Sequence, residues 1–252
     1  MADNTTTDLT GMVAVVSGAA RGIGVAWVDA LRGAGATVVG FDLRPGADII
    51  ADASEPEQVL GVVERVVADH GGIDIAVANA AKVRLTSPLD PWDKALDDFD
   101  DQIGTNLRGV YLLGRAVAPI MVARGGGHIV NISTDHVHRA PGVRSGGGPL
   151  MDIYDASKFA IRGLTQSWAE ALRPHHIRVN ELCMGATDGE FLREFMGERA
   201  TPEVVAKWIS PHDLGRVLVQ LIAEGRDGRT GTLIGLWVGH PVELPILGPG
   251  HP

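Results

Sequence analysis

Tyr154 and Lys158 stand four residues apart in the run Tyr154-Asp155-Ala156-Ser157-Lys158. On a helix that spacing puts both on one face, so a phenol and an ammonium can point into the same cleft. A cation beside a phenol favours phenolate and is expected to lower a pKa of about 10, making the tyrosine a usable acid or base near neutral pH. Such a pair is common on protein surfaces, and its meaning depends on what accompanies it. Here the companion is a glycine-rich stretch, Ser17-Gly18-Ala19-Ala20-Arg21-Gly22-Ile23-Gly24. Its glycines suit a tight turn at Gly18, backbone approach to a pyrophosphate at Gly22 and close helix–strand packing at Gly24. The N-terminus of the following helix would supply amide donors.

An acidic residue, Asp42, lies 18 positions after Gly24 at the expected end of the second strand. A carboxylate there can accept both hydroxyls of an adenosine ribose and repel a 2′-phosphate, which favours NAD over NADP. The alternative is a solvated residue ending a strand. Arg21, inside the turn, and Arg44, just past Asp42, pull toward the extra phosphate. Asp52, after the apolar Ile49-Ile50-Ala51, can bond an adenine amino group or cap the next helix.

The elements around these residues alternate. Apolar β-branched runs at Met12–Ser17, Thr37–Phe41, Ile73–Ala78, His128–Ser133, Arg178–Cys183 and Thr232–Leu236 read as strands. Helical spacing follows the glycine turn, where Gly33 and Gly35 mark the helix end. A further helix is expected after Ser54, with Pro56 in the first turn and Ser54 and Glu57 placed as a capping box. A long helix is expected around Phe99–Ala123 and another over about Tyr154–Leu172. Strands apolar on both faces imply an α/β fold: a single-domain, doubly wound parallel sheet of Rossmann type with helices on both faces. The expected division is a tail at 1–10, a domain at 11–239 and a C-terminal tail at 240–252. Two segments break the rhythm, at 135–151 and 185–210. Loops after strand ends in this architecture shape ligand sites, the alternative being plain surface loops.

With these motifs in place, the chain resembles the short-chain dehydrogenase/reductase family over nearly its whole length. The glycine turn is similar to TGxxxGIG, with Ser17 for threonine; Ala78-Asn79-Ala80-Ala81 resembles NNAG; Asn106 matches the active-site asparagine; and Tyr154 and Lys158 match YxxxK. Ile129–Thr134 resembles the strand ending in the catalytic serine, and Arg178-Val179-Asn180 the start of the next strand. The resemblance implies that Tyr154 exchanges a proton with the substrate oxygen. Lys158 would hold the nicotinamide ribose and depress the tyrosine pKa, and Asn106 would position a water in a proton relay. The serine role falls to Thr134, whose hydroxyl has the same bonding capacity, with Ser133 as the alternative one residue earlier. The implied cofactor contacts are Gly18, Arg21, Gly22, Ile23, Gly24, Asp42, Leu43, Asp52, Ala53, Asn79, Ala80, Ala81, Tyr154, Lys158, Gly185 and Thr187.

Several features depart from the family. The gap from Thr134 to Tyr154 is 20 residues and holds Asp135, His136, His138, Arg139 and Arg144. His136 is expected to line the substrate site; His136 and His138 as a metal pair lack further ligands. Met184-Gly185 replaces the usual Pro-Gly, putting the local loop path in question. Met184, Phe191 and Phe195 are the other expected substrate contacts. With Met196 and Trp208 they suggest a hydrophobic or cyclic substrate, core packing being the alternative. The expected activity is NAD-dependent hydride transfer between the cofactor and a secondary alcohol or ketone. A nucleotide-binding sensor or scaffold without turnover, and a lyase or epimerase, are the alternatives.

Composition narrows the setting. Of 252 residues, 31 are acidic and 22 basic, for a net charge of −9, which excludes the basic face of a nucleic-acid binder. The lone Cys183 removes intrachain disulfides and multi-thiolate metal sites and suggests a reducing compartment. The polar start lacks a signal-peptide plan, and no run approaches the roughly 20 apolar residues of a membrane span. A cytoplasmic protein acting on a small molecule is expected, with no metal, nucleic-acid or membrane partner. The proline-rich apolar tail would either meet a partner subunit in a homo-oligomer, a dimer or tetramer, or dock on its own chain.

Overall fold

The structure, a computed structural model, describes residues 7–140, 142–143 and 147–246. The first six residues of the N-terminal tail, Arg144 and the last six residues of the C-terminal tail lie outside the described residues.

Seven parallel strands form one sheet in the order β3-β2-β1-β4-β5-β6-β7. They are β1 (Val13–Ser17), β2 (Thr37–Asp42), β3 (Ile49–Ile50), β4 (Ile75–Ala78), β5 (Gly127–Thr134), β6 (Ile177–Met184) and β7 (Leu233–Leu236). The chain winds outward one way from β1 through β2 to β3, then returns to start β4 on the other side of β1. This reversal opens a crevice at the carboxyl ends of β1 and β4, where ligands bind in such sheets. All of β1 and β4 is buried, because their side chains are covered on both faces.

The helices supply the two covers. On one face α1 (Gly22–Gly33) and α8 (Pro211–Ala223) pack Trp27, Leu31, Leu214 and Leu218 against Val16, Val77, Ile132 and Leu182. On the other, α2 (Pro56–His70), α4 (Gly109–Arg124) and α5 (Asp152–Leu172) pack Val62, Val66, Leu113, Val117 and Ile161 against Val15, Ala76, Ile129 and Val179. The fold expected from the alternating runs is therefore the fold observed.

Three local expectations are corrected. The helix expected near Phe99–Ala123 is two: α3 (Trp92–Ile103) and α4, joined by a π-helical turn at Gly104–Arg108 that carries Asn106. The capping box at Ser54 does not form. Glu55 is the N-cap of α2, and Ser54 instead gives its N–H and hydroxyl to Asp52 Oδ1. The segment after β6 is not plain loop, since it folds into α6 (Glu190–Met196) and α7 (Pro202–Val205). The described part of the C-terminal tail docks on its own chain. Val242 and Leu244 pack on the α1/α8 core, while Arg216 and Arg229 donate to Val242 O and Pro245 O.

Candidate active site

A cleft of about 1020 Å³ runs along the carboxyl ends of the strands. At one end is the glycine turn between β1 and α1. Gly18 has φ +67, and a Cβ there would stand 2.8 Å from Ala80 Cα, so only glycine lets this turn pass beside the end of β4. A Cβ on Gly24 would collide with the Gly18 carbonyl, so that glycine sets how closely α1 meets the turn. Ser17 ties the two strand ends together by accepting the N–H groups of Asn79 (2.9 Å) and Ala80 (3.1 Å). Asn79 closes the same joint: its Nδ2 donates to Ser17 O and Gly18 O, and its Oδ1 accepts the Trp27 indole N–H.

Asp42, at the end of β2, faces the cleft while accepting Ala20 N–H at Oδ2 (3.1 Å) and Arg44 N–H at Oδ1 (2.9 Å). Those bonds fix the carboxylate beside the glycine turn. Arg21 is differently engaged than the sequence suggests. Its guanidinium pairs with Glu194 of α6 at 2.7 Å, so α6 already claims the cation in the turn. Asp52 lines the cleft and accepts the Ser54 N–H and hydroxyl just ahead of α2, but it does not cap that helix, whose N-cap, Glu55, carries no side-chain cap bond.

At the other end stand the residues of β5 and α5. Tyr154 opens onto the cleft, and Lys158, one turn along α5, is buried with Nζ donating to Ile132 O at 3.0 Å. The ammonium lies 5.8 Å from the Tyr154 ring centroid. The phenol is not made acidic, contrary to expectation. Desolvation pushes its pKa up, the Thr134 hydroxyl pulls it back, and the charges of Asp155 and Asp135 push it up again. Lys158 is pushed down to about 8 by burial, against the charge of Glu181. Thr134 is the hydroxyl that meets Tyr154. The Ser133 side chain, on the alternate face of β5, is turned toward Glu181 of β6.

Around Tyr154 the cleft is lined by His136, Asp135, Arg139, Met151, Met184, Phe191 and Phe195. His136 Nδ1 is hydrogen-bonded to Asp155 Oδ1, whereas His138 turns away and packs on Trp237, its ring centroid 5.5 Å distant. The two histidines thus point apart. Met184-Gly185 follows a fixed path without proline, because Met184 O accepts Asp135 N–H and Gly185 N–H donates to Leu236 O at 2.8 Å.

Every expected cofactor and substrate residue lines this one cleft, among them Ile23, Leu43, Ala53, Ala81 and Thr187. Asn106 does not. It is buried behind the wall, where Oδ1 accepts Lys82 N–H and Nδ2 donates to Lys82 O and Ser157 Oγ. Its amide clamps the chain after β4 to α5, and Thr105 faces the cleft instead. Met196 and Trp208 also fall outside the lining. Asp135, Arg139 and Met151 lie in the 135–151 segment expected to shape the ligand site, but no motif gave them a role; Asp155 went unread although it sits inside a motif.

Comparison with known proteins agrees with this geometry. A family model described as short chain dehydrogenase matches residues 12–199. A 3-oxoacyl-(acyl-carrier-protein) reductase of Thermotoga maritima is 30% identical over 248 residues, covering 90% of this chain and 97% of that protein. A galactitol 2-dehydrogenase of Agrobacterium fabrum is 34% identical, covering 72% of this chain and 73% of the relative. Among solved structures, a short-chain type dehydrogenase/reductase from Mycobacterium marinum superposes with a TM-score of 0.76 at 29% identity, covering 92% of this chain and 96% of that one.

Proposed function

This chain belongs to the short chain dehydrogenase family of Rossmann-fold oxidoreductases, and on that footing we propose that it is an NAD-dependent enzyme interconverting a secondary alcohol and a ketone. One observation carries the proposal: Tyr154, Thr134 and Lys158 close one end of the cleft whose other end is the glycine turn and Asp42.

The residues fit a dinucleotide. Gly22 lines the cleft in open space, its nearest neighbour to a Cβ being Glu190 N at 4.0 Å, so a side chain there would enter the room a pyrophosphate needs, while Gly18 and Gly24 allow the turn itself. The N-cap of α1, Arg21, makes no side-chain cap bond, so the first-turn N–H groups remain for a pyrophosphate. Asp42 would take the adenosine ribose hydroxyls and disfavour a 2′-phosphate, and Lys158 would hold the second ribose. The bound nicotinamide supplies the hydride carrier.

The protein's part is the proton. In reduction, Tyr154 Oη gives its proton to the carbonyl oxygen while the Thr134 hydroxyl holds that oxygen in place. In oxidation Tyr154 must first be phenolate. Burial favours the protonated phenol, the form that reduction needs. Met151, Met184, Phe191 and Phe195 offer an apolar wall, which favours a hydrophobic or cyclic substrate.

Leu89, Trp92 and Phe99, on and just before α3, Tyr111 on α4 and Phe159 on α5 are apolar and exposed, Trp92 at 75% and Leu89 at 92%. Such a surface supports a homo-oligomer, dimer or tetramer. Among the described residues no helix is long and apolar enough to cross a membrane. The lone thiol, Cys183, is buried and its pKa pushed up by desolvation, which suits a cytoplasmic setting.

The test is turnover. Purified protein given NAD or NADP with panels of secondary alcohols and ketones should change the absorbance of the reduced cofactor. Tyr154→Phe should lose about 100- to 10,000-fold in kcat while binding cofactor within a few-fold of the parent. Turnover retained within a few-fold would remove Tyr154 from the mechanism. Product without net cofactor change would indicate a lyase or epimerase, and cofactor binding without any turnover a sensor.

A further inference from the structure

Glu181 lies in the interior of the sheet, on β6, and is fully buried. The side chains of β6 that face α5 are apolar at Ile177 and Val179, where they join the α2/α4/α5 core, and become polar at Glu181 and Cys183. The same change occurs on β5, from Ile129 to Asn131 and Ser133. Asn131 pairs with Glu181 and Ser133 with Cys183, so the four polar side chains form one patch. Above it runs α5: Asn131 Nδ2 donates to Thr165 Oγ1, and Lys158 Nζ donates to Ile132 O, between Asn131 and Ser133.

Within the patch Glu181 Oε1 accepts the Cys183 thiol at 3.3 Å, while Glu181 Oε2, Ser133 Oγ and Asn131 Oδ1 are buried without a hydrogen bond of good geometry. An apolar residue at this position would pack without that cost. The catalytic lysine supplies the reason for a carboxyl. An ammonium in a dry interior needs an opposite charge, or it sheds its proton.

We propose that Glu181 is a positioning residue for Lys158: its buried carboxylate, one strand away from the carbonyl that receives Nζ, is the counter-charge that keeps the lysine protonated beside Tyr154. The groups facing the pair are Tyr154 and Arg162 from α5, Cys183 from β6, and the uncharged Asn131 and Ser133 from β5; β7, on the far side of β6, brings only Leu233–Leu236. Burial pushes the Glu181 pKa up, while Ser133, Cys183, Lys158 and Arg162 pull it back. Lys158 sits at about 8 with that charge in place, and removing the charge lowers it further.

The inference rests on Lys158 as the cofactor-holding lysine, and its test has an arm that needs no turnover. The chain has four lysines, so the side-chain nitrogen of Lys158 can be titrated by NMR in ¹⁵N-lysine-labelled protein. In Glu181→Gln the Lys158 midpoint should fall by about one pH unit. The alkaline limb of kcat/KM should move down by the same amount, with activity near parental on its acid side. Glu181→Asp, which keeps the charge, should restore most of both, and it stands in if the glutamine variant does not fold. Unchanged Lys158 titration in a folded Glu181→Gln overturns the proposal, as does an equal fall in Glu181→Asp. A shifted titration in a protein that turns over no alcohol or ketone would leave the pair standing and overturn the oxidoreductase reading instead.

Discussion

His136 Nδ1 stands 2.7 Å from Asp155 Oδ1, and the imidazole meets the Tyr154 ring edge-on at 5.9 Å between centroids. Asp155 is the residue after the tyrosine on α5, and its second oxygen takes the Gly147 N–H at 2.7 Å. One carboxylate in the first turn of α5 therefore orients a loop histidine against the Tyr154 ring and holds the loop beside it.

That arrangement makes Asp155 a separable handle on the substrate end. Asp155→Asn should weaken both bonds and let His136 swing, raising KM for the carbonyl or alcohol by about tenfold. Cofactor affinity should stay within a few-fold, because the glycine turn and Asp42 lie at the opposite end of the cleft. Measuring the two constants separately checks this; equal losses in both would show that Asp155 supports the whole cleft rather than its substrate end.

Cofactor choice is expected to follow Asp42. Asp42→Ala removes the charge facing the adenosine ribose, and the ratio of kcat/KM for NADP over NAD should rise by roughly 10- to 100-fold. Arg21 is paired with Glu194, and Arg44 also lines the cleft as a cation able to meet a 2′-phosphate, so Asp42→Ala with Arg44→Ala should return part of that gain. An unchanged ratio in the single variant would mean that the carboxylate serves only Ala20 and Arg44.

The hydroxyls of β5 should behave unequally. Thr134→Val deletes the group that meets Tyr154 at nearly constant volume, and kcat should fall by about 100-fold. Thr134→Ser should retain most activity. Ser133→Ala removes a hydroxyl turned toward Glu181, so kcat at pH about 7 should change by less than about threefold. The reverse order in steady-state assays would put the catalytic hydroxyl at Ser133.

The sheet and the cleft were legible because both follow from local rules. Valine- and isoleucine-rich runs buried on both faces can only be inner strands, and a glycine turn after the first of them fixes where the crevice opens. The chemistry of the site was less legible. The spacing of Tyr154 and Lys158 shows that they share a helix face, but not that burial and two nearby carboxylates hold the phenol's pKa up. Those carboxylates, Asp135 and Asp155, are neighbours of Tyr154 only in space or inside a motif read for its other residues. The local setting of Asn106 was not legible either: it sits on a π-helical turn, which no residue type announces, with its amide bonded to Lys82 and Ser157.

Acid stability provides a check on the sheet that is independent of catalysis. His128 on β5 is buried, its Nδ1 has no hydrogen-bond partner, and its pKa is pushed down to about 3 by desolvation and then by the Arg178 charge. The unfolded chain binds that proton near pH 6.5, whereas the folded chain resists it until about pH 3. Below about pH 6.5 the unfolded state thus holds more protons, and stability falls by up to roughly 1.4 kcal/mol per pH unit from this one residue until the folded pKa is reached. Between pH about 7 and about 5 the contribution is on the order of 2 kcal/mol. Replacing the ring with a group that does not titrate, as in His128→Asn, should remove this slope while leaving other acid-sensitive groups in place. Denaturant unfolding of parent and variant at both pH values measures the difference. Parallel losses in the two proteins would mean that His128 takes up its proton in the folded sheet, and that the strand opens to water more readily than its burial implies.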